Sequence, residues 1–388
     1  MKTKTWKINK LEEVCEILDN KRIPISQKNR ISGIYPYYGA SGIVDYIDKY
    51  IFDEELVLIG EDGAKWGAFE NSAFIVNGKY WVNNHAHILK PNNEILINKF
   101  LVYFLNYSNL EKYITGATVK KLNQQKLKQI EIPLPPLKEQ ERIVGILDES
   151  FAKIDESIKI LEQDLLNLDE LMQSALQKAF NPLKDNAKEN YKLPQGWEWK
   201  SLGEIGEIIT GTTPSKNNPN FYGNEYPLFK PSDLNGDMII KYASDNLSKL
   251  GFDNARNLPK DTILVVCIGA IGKVGLSGVN GSCNQQINAI IPNSAFTSKY
   301  LFFVCLSNYF QTILKKNASQ TTLPIINKTE FSKLQIPLPP IKEQEQIAKH
   351  LDFVFEKTKA LKELYTKELK DYEELKQSLL NKAFKGEL

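Results

Sequence analysis

The chain has 388 residues, 42% of them apolar and 25% charged, with a formal net charge of +2. That length allows two or more domains with their own cores, and the composition excludes collagenous and low-complexity classes. Four scattered cysteines (Cys15, Cys267, Cys283, Cys305) have neither zinc-ribbon spacing nor the density of a disulfide framework, so a reducing, cytoplasmic setting is expected.

The opening Met1-Lys-Thr-Lys-Thr-Trp6 has no apolar run, so no signal peptide is expected, and no stretch approaches the roughly 20 apolar residues of a membrane span. Residues 1–20 carry an apolar-periodic patch at Leu11, Val14, Ile17 and Leu18, read as a short helix or strand. Strand-like runs follow at Ile43–Ile47, Leu56–Ile59, Ala73–Val76 and His85–Leu89, broken by glycine and turn residues. Leu101–Leu110 reads as a short helix rich in aromatic and leucine side chains.

Next comes Ile132-Pro-Leu-Pro-Pro-Leu-Lys-Glu-Gln-Glu141, which returns as Ile336-Pro-Leu-Pro-Pro-Ile-Lys-Glu-Gln-Glu345. Ile132–Phe180 and Ile336–Phe384 align without a gap, with about 23 identities in 49 positions, each ending in Lys-Ala-Phe. The chain is therefore a duplication. The prolines forbid a helix from upstream and favour an extended arm, and Glu139 suits the opening turn of the helix that follows. From there the apolar positions alternate by four and three: Leu147, Phe151, Ile154, Ile158, Leu161, Leu165, Leu168, Met172, Ala175 and Ala179. That is the seam of a coiled coil.

Roughly 44 helical residues make a rod of about 65 Å, too long for one small domain to cover. The second copy offers a partner of matching length, with Leu351, Phe355, Tyr365, Leu369, Tyr372 and Leu379 at equivalent seam positions. Lys362 and Lys376 interrupt it, so a rotation that brings Leu361, Leu364 and Leu375 into the seam is an alternative.

Residues 181–192 are polar and turn-rich and read as a linker. The second globular segment, 193–335, echoes the first: Glu204-Ile-Gly-Glu-Ile208 matches Glu13-Val-Cys-Glu-Ile17. It has strand-like runs at Asp261–Ile268 and Gln286–Ile291 and a helix-like Tyr300–Phe310. The fold expected is α+β: two globular domains with mainly antiparallel sheet, 1–131 and 193–335, separated by a pair of long antiparallel helices, 132–180 and 336–388, around a pseudo-two-fold axis. Net charge is +3 over 1–131, −5 over 132–180, +4 over 181–335 and zero over 336–388. Mildly basic globular segments suit a polyanion, although small excesses of this kind also simply keep a surface wet.

Catalytic machinery is not evident. Gly269-Ala-Ile-Gly-Lys-Val-Gly275 lacks the upstream glycine of a P-loop and has Val274 where Ser or Thr is needed; it reads as a turn with Lys273 free to reach a phosphate. There is no Asn- or Asp-Pro-Pro-aromatic motif, no methyl-donor glycine fingerprint and no Pro-Asp start of a nuclease motif. His85 and His87, two apart on one face of a presumed strand, have no further ligands in view, so hydrogen bonding is the default and no metal or cofactor is expected.

Polar, glycine-punctuated loops supply candidate nucleic-acid contacts instead. In the first segment these are Tyr37, Tyr38, Lys65, Trp66, Asn83, Asn84, Lys120 and Lys121. In the second they are Thr212, Thr213, Ser215, Lys216, Lys230, Ser232, Lys273, Gln285, Gln286, Gln320 and Thr321. Amides pair with adenine and lysines with phosphate, while the same residue types also serve ordinary turns.

The doubled proline-to-helix signature resembles the conserved regions of type I restriction–modification specificity subunits. Trp81-Val-Asn-Asn-His-Ala-His-Ile88 and Asn284-Gln-Gln-Ile-Asn-Ala-Ile290 resemble segments of that family's target-recognition domains. The likeness covers essentially the whole chain. It implies a non-catalytic subunit that binds double-stranded DNA. Each domain would read one part of a split, asymmetric sequence, with half-sites near one helical turn apart, about 34 Å. It also implies that the helix pair sets the spacing and docks two modification subunits, and that restriction subunits join for cleavage. A coiled-coil scaffold whose globular ends bind proteins is the alternative.

Overall fold

The computed structural model describes residues 6–180, 193–319 and 323–388. The linker expected at 181–192 and the candidates Gln320 and Thr321 lie outside the described residues. The chain divides into two compact units: residues 1–162 with 366–388, and residues 163–365. Each therefore combines one globular segment with parts of both long helices.

In the first unit, strand β1 (Lys7–Lys10) leads into a single-turn helix α1 (Leu11–Val14) and β2 (Cys15–Ile17). The apolar patch at residues 11–18 is thus both helix and strand, with Leu11, Val14 and Leu18 buried. Then come β3 (Ser32–Gly39), β4 (Gly42–Ile47), β5 (Phe52–Asp53), β6 (Leu56–Gly60), β7 (Ala73–Val76), β8 (Lys79–Val82) and β9 (Ala86–Pro91). They form two four-stranded sheets, ordered β2-β9-β6-β7 and β4-β3-β8-β5. Helices α2 (Asn98–Tyr107) and α3 (Gln124–Lys128) follow.

Strand β10 (Glu131–Leu134) pairs antiparallel with β1, so the proline arm is a ribbon strand. Tyr37 and Tyr38, expected on a loop, lie in β3. Pro36 is tolerated because it faces only β4, the parallel partner β8 joining from Tyr37 onward.

The second unit repeats this order with β11 (Glu198–Ser201), α5 (Leu202–Ile205) and β12 (Glu207–Thr210), after the first long helix α4 (Leu137–Ala179). There follow β13 (Tyr222–Phe229), β14 (Ile239–Ile240), β15 (Asp245–Leu247), α6 (Lys249–Asn254), β16 (Ile263–Val266), β17 (Val274–Ser277), β18 (Ser282–Cys283) and β19 (Ile287–Ile291). Its sheets run β12-β19-β16-β17-β14 and β15-β13-β18, the same plan as the first unit with an edge strand, β14, added to the first sheet and no counterpart of β5 in the second.

The helix expected over Tyr300–Phe310 is two, α7 (Ser298–Leu306) and α8 (Asn308–Lys316). Ser307 breaks it: its backbone is extended and its side chain accepts from the Phe310 amide, capping a new helix. Helix α9 (Lys328–Ser332), β20 (Gln335–Leu338), paired with β11, and the second long helix α10 (Ile341–Lys385) complete the order.

The start of each long helix is fixed by a glutamine from the repeated motif. Gln140 is fully buried; its Nε2 donates to the Ile95 and Pro135 carbonyls at 2.8 Å each, and its Oε1 accepts from the Ile97 amide at 2.9 Å. Gln344 does the same with Ala295 and Pro339 (3.1 and 2.9 Å) and the Thr297 amide (2.9 Å). One amide thus ties the turn before the helix to the loop that opens α2 or α7. Below it, Asp148 accepts from Lys99 and Tyr103, and Asp352 pairs with Lys299.

The ends of the helices go elsewhere. In the first unit, Phe384 of α10 packs on Phe100, Phe104 and Tyr107 of α2, beside buried Leu380 and Ala383. In the second, Phe180 after α4 packs on Tyr300 of α7, beside buried Leu176. Each Lys-Ala-Phe end therefore completes the core of the other half's globular segment.

The seam positions Leu147, Ile154, Leu161, Leu168 and Leu351 are buried, and Phe151, Ile158, Leu165, Met172, Phe355, Leu369, Tyr372 and Leu379 are half-buried. Lys362 and Lys376 stay in register among them. Lys376 binds Asp155 within the first unit, and Lys362 binds Asp169 within the second, in the same antiparallel register. Leu361, Leu364 and Leu375 are exposed, so the rotation that would bring them inward does not occur. The lysine stems lie along the seam while their ammonium groups reach carboxylates at its rim.

Candidate nucleic-acid interface

In the first unit three loops meet at one end of the β2-β9-β6-β7 sheet. The Glu61 amide donates to the His85 carbonyl at 2.8 Å, and the Leu122 amide donates to the Glu61 carbonyl at 2.8 Å. Asp62 and Lys121 form a bridge. The segments after β6, before β9 and before α3 are thereby bound edge to edge. They carry Lys65, Asn84, Lys120 and Lys121, with Lys65, Asn84 and Lys120 exposed. A recess of about 640 Å3 between the first and third loops is lined by Lys65, Trp66, Thr118 and Lys120 among others.

Beneath the loops lies a charged network that sequence reading missed. His87 is fully buried; its Nδ1 faces the Asp19 Oδ2 at 2.6 Å, and its Nε2 faces the Leu122 carbonyl at 2.6 Å. Both ring nitrogens therefore meet oxygen atoms of the surrounding segments. Arg22 bonds to Glu61 and to the Ala86 carbonyl (2.9 Å), and Lys121 Nζ pairs with Glu61 at 2.7 Å. Gln124 donates to Asp19 at 3.1 Å.

Burial opposes the charge on Asp19, yet the bonds from His87 and the Ile88 amide and the charge of Arg22 outweigh it and hold the carboxyl below its ordinary range. Glu61 is likewise held low: burial is outweighed by Lys121, Arg22 and His87. Asp19, Glu61 and His87 place three metal-ligand atoms within 4.8 Å, but Arg22 and Lys121 already supply the positive charge there. His85 does not share their face: it precedes β9, is exposed, and bonds Asp62 at 2.5 Å.

Three first-unit candidates point inward. Tyr37 is buried, its hydroxyl accepting from the Ile25 amide. Trp66 is buried and donates to the Gly60 carbonyl at 3.1 Å. Asn83 is buried and accepts from the His85 amide at 2.7 Å, shaping the turn. These side chains leave the set offered to a ligand. Tyr38, half-buried, packs on Phe74 and Tyr80.

The second unit gathers its candidates in the matching place. Thr213 donates to Gln285 at 2.8 Å, and Lys273 donates to the Pro231 carbonyl at 3.0 Å, next to exposed Ser232. Lys230 and, at 4.0 Å, Lys216 flank Asp245, and the Lys230 bond is foremost in holding that carboxyl low. Gln286 is turned toward Asn284 at 2.9 Å, while Thr212 is half-buried and Ser215 exposed. Both units thus end one sheet in a patch of lysine, amide and hydroxyl groups, the residue types that contact phosphate and base edges.

A family model described as type I restriction modification DNA specificity domain matches twice, over residues 3–165 and 194–371. The chain belongs to this family. It is the DNA specificity subunit of a type I restriction–modification system, a non-catalytic component of that complex. Among its relatives, S.HindORF215P of Haemophilus influenzae is 31% identical over 89% of this chain and 86% of the relative. The type I restriction enzyme EcoDI specificity subunit of Escherichia coli is 23% identical over 99% of this chain and 88% of the relative.

Two solved structures share the specificity subunit's fold. One, solved for complex assembly and conformational transition of the type I R-M system, has a TM-score of 0.75 at 21% identity and 99% coverage of both chains. The other, the HsdS subunit from Thermoanaerobacter tengcongensis, has a TM-score of 0.55 at 21% identity, covering 99% of this chain and 98% of that one. Among the described residues no helix is long and apolar enough to cross a membrane.

Proposed function

We propose that this specificity subunit reads a split, asymmetric double-stranded DNA target with one recognition domain per part, 1–131 for one and 193–335 for the other. The observation that carries the reading is the duplicated assembly: two domains of one plan, each clamped to its own long helix by a buried glutamine and each ending in a polar loop patch. The exposed groups Lys65, Asn84, Lys120, Ser215, Lys216, Lys273 and Gln285 are the side chains offered to DNA, with Lys121, Thr212, Thr213, Lys230 and Ser232 shaping or flanking them. In this reading the helix pair sets the distance between the two parts of the target and receives two modification subunits, with restriction subunits joining for cleavage. The chain's low net charge, +2, fits a complex in which partners add much of the phosphate grip.

The test is an exchange of residues 1–131 for the corresponding domain of another specificity subunit, followed by mapping of methylated adenines in a host that also makes the modification subunits. One part of the target changes and the other part and the spacer stay. Both parts changing together, or neither, would contradict one-domain-one-part reading. Binding that is indifferent to salt would favour the scaffold alternative.

A further inference from the structure

The two domains place different chemistry at the same three positions beneath their loop patches. His87 lies opposite Ile59 in β6, and Asn288 lies opposite Val265 in β16, its equivalent. Glu61 follows β6, its amide bonded to the His85 carbonyl and its carbonyl to the Leu122 amide; Cys267 follows β16 and makes the same two bonds, to Gln286 and Ile326. Asp19 lies two residues beyond Ile17, which pairs with Leu89; Thr210, two beyond Ile208, pairs directly with Asn288. A charged set in the first domain therefore stands where the second has a neutral one, in which Thr210 donates to Asn288 at 2.6 Å. Burial pushes the Cys267 thiol up to about 12, so it is uncharged.

The second domain shows that this fold closes without buried charge at these positions, and burying an ion network is in general a poor way to gain stability. What the charged set adds is connection. Asp19, Arg22, Glu61, His87 and Lys121 come from the segments after β2, after β6, within β9 and before α3. Their bonds run from the buried imidazole out to the half-exposed Lys121.

We infer that this network is a positioning device for DNA reading by the first domain alone. It fixes the loops that hold Lys65, Asn84 and Lys120 relative to one another, as the neutral set does not for the second domain. The inference rests on the reading that residues 1–131 recognise one part of the target.

The test uses the complete chain with its modification subunits and the methylated-adenine map. Three variants are compared: Asp19→Asn, His87→Asn, which installs the second domain's own residue, and Lys121→Met at the exposed end of the network. Each is expected to raise methylation at sites with one wrong base in the first domain's part about tenfold relative to correct sites. Stringency in the other part and the spacer stays as in the parent. A purely structural role predicts an unchanged base pattern or equal loosening of both parts, and either result overturns the inference. If the two buried variants abolish methylation by unfolding, Lys121→Met decides, since it leaves the buried imidazole bonded on both sides.

The domain exchange separates the two levels of argument. An exchange that alters neither part removes the underlying reading. An exchange that alters one part, with network variants that do not, removes only the positioning role.

Discussion

The buried glutamine of the repeated Lys-Glu-Gln-Glu motif is worth more than its one side chain. It satisfies two carbonyls and one amide that the prolines and the loop before α2 would otherwise leave buried and unpaired. Gln140→Leu or Gln344→Leu is expected to cost about 2–4 kcal/mol, more than the ~1 kcal/mol of one typical hydrogen bond, because backbone groups lose partners inside the protein. Chemical denaturation of each variant against the parent checks it. Asp19 and Glu61 give a second residue-scale expectation. Both carboxyls are held below their ordinary range in the folded chain, so their stabilisation is complete above the unfolded value near pH 4 and fades as pH falls through the folded one. Below about pH 4 the first domain should lose protection faster in the parent than in Asp19→Asn, as read by amide exchange in β9.

Among the elements, the helix pair was the most legible from sequence, because a four-three alternation sustained over many turns admits one face. The lysines misled only about rotation: pattern reading counts them as polar, whereas a long alkyl stem spans the seam and delivers its charge to Asp155 or Asp169 at the rim. Such exposed pairs contribute about 0–1 kcal/mol, less than a leucine buried there. The double variant Lys362→Leu, Lys376→Leu should therefore melt a few degrees higher, and Asp155→Ala alone should hardly shift the midpoint. The network under the first loop patch was not legible. Asp19, Glu61, His87 and Lys121 are far apart in sequence; Lys121 stands out only as a nucleic-acid contact and His87 only as a hydrogen-bonding strand residue, and nothing in the pattern joins them to Asp19 and Glu61. Tyr37, Trp66 and Asn83 show the converse, since aromatic and amide residues near glycine look like contacts until a strand or turn claims them.

Across the whole molecule, each half's helix serves both globular segments: its beginning is clamped to its own, and its end is packed into the other's. Deleting the half-buried Phe384 ring (Phe384→Ala) uncovers the aromatic face of α2 in the first unit, at a cost below the ~3–5 kcal/mol of a fully buried phenylalanine. Hydrogen exchange should rise in Asn98–Tyr107 and stay unchanged in Ser298–Leu306, although residue 384 follows the second domain in sequence. Phe180→Ala should give the opposite pattern, through Tyr300.

This crossing has a consequence for biosynthesis. The ribosome releases residues 1–131 well before it reaches Leu380, Ala383 and Phe384, so that segment emerges with a side of its core open until those residues arrive. A chain cut short before Leu380 is expected to show faster proteolysis within Asn98–Tyr107 than the parent. Synthesis through Phe384 is thereby a precondition for a closed core around α2.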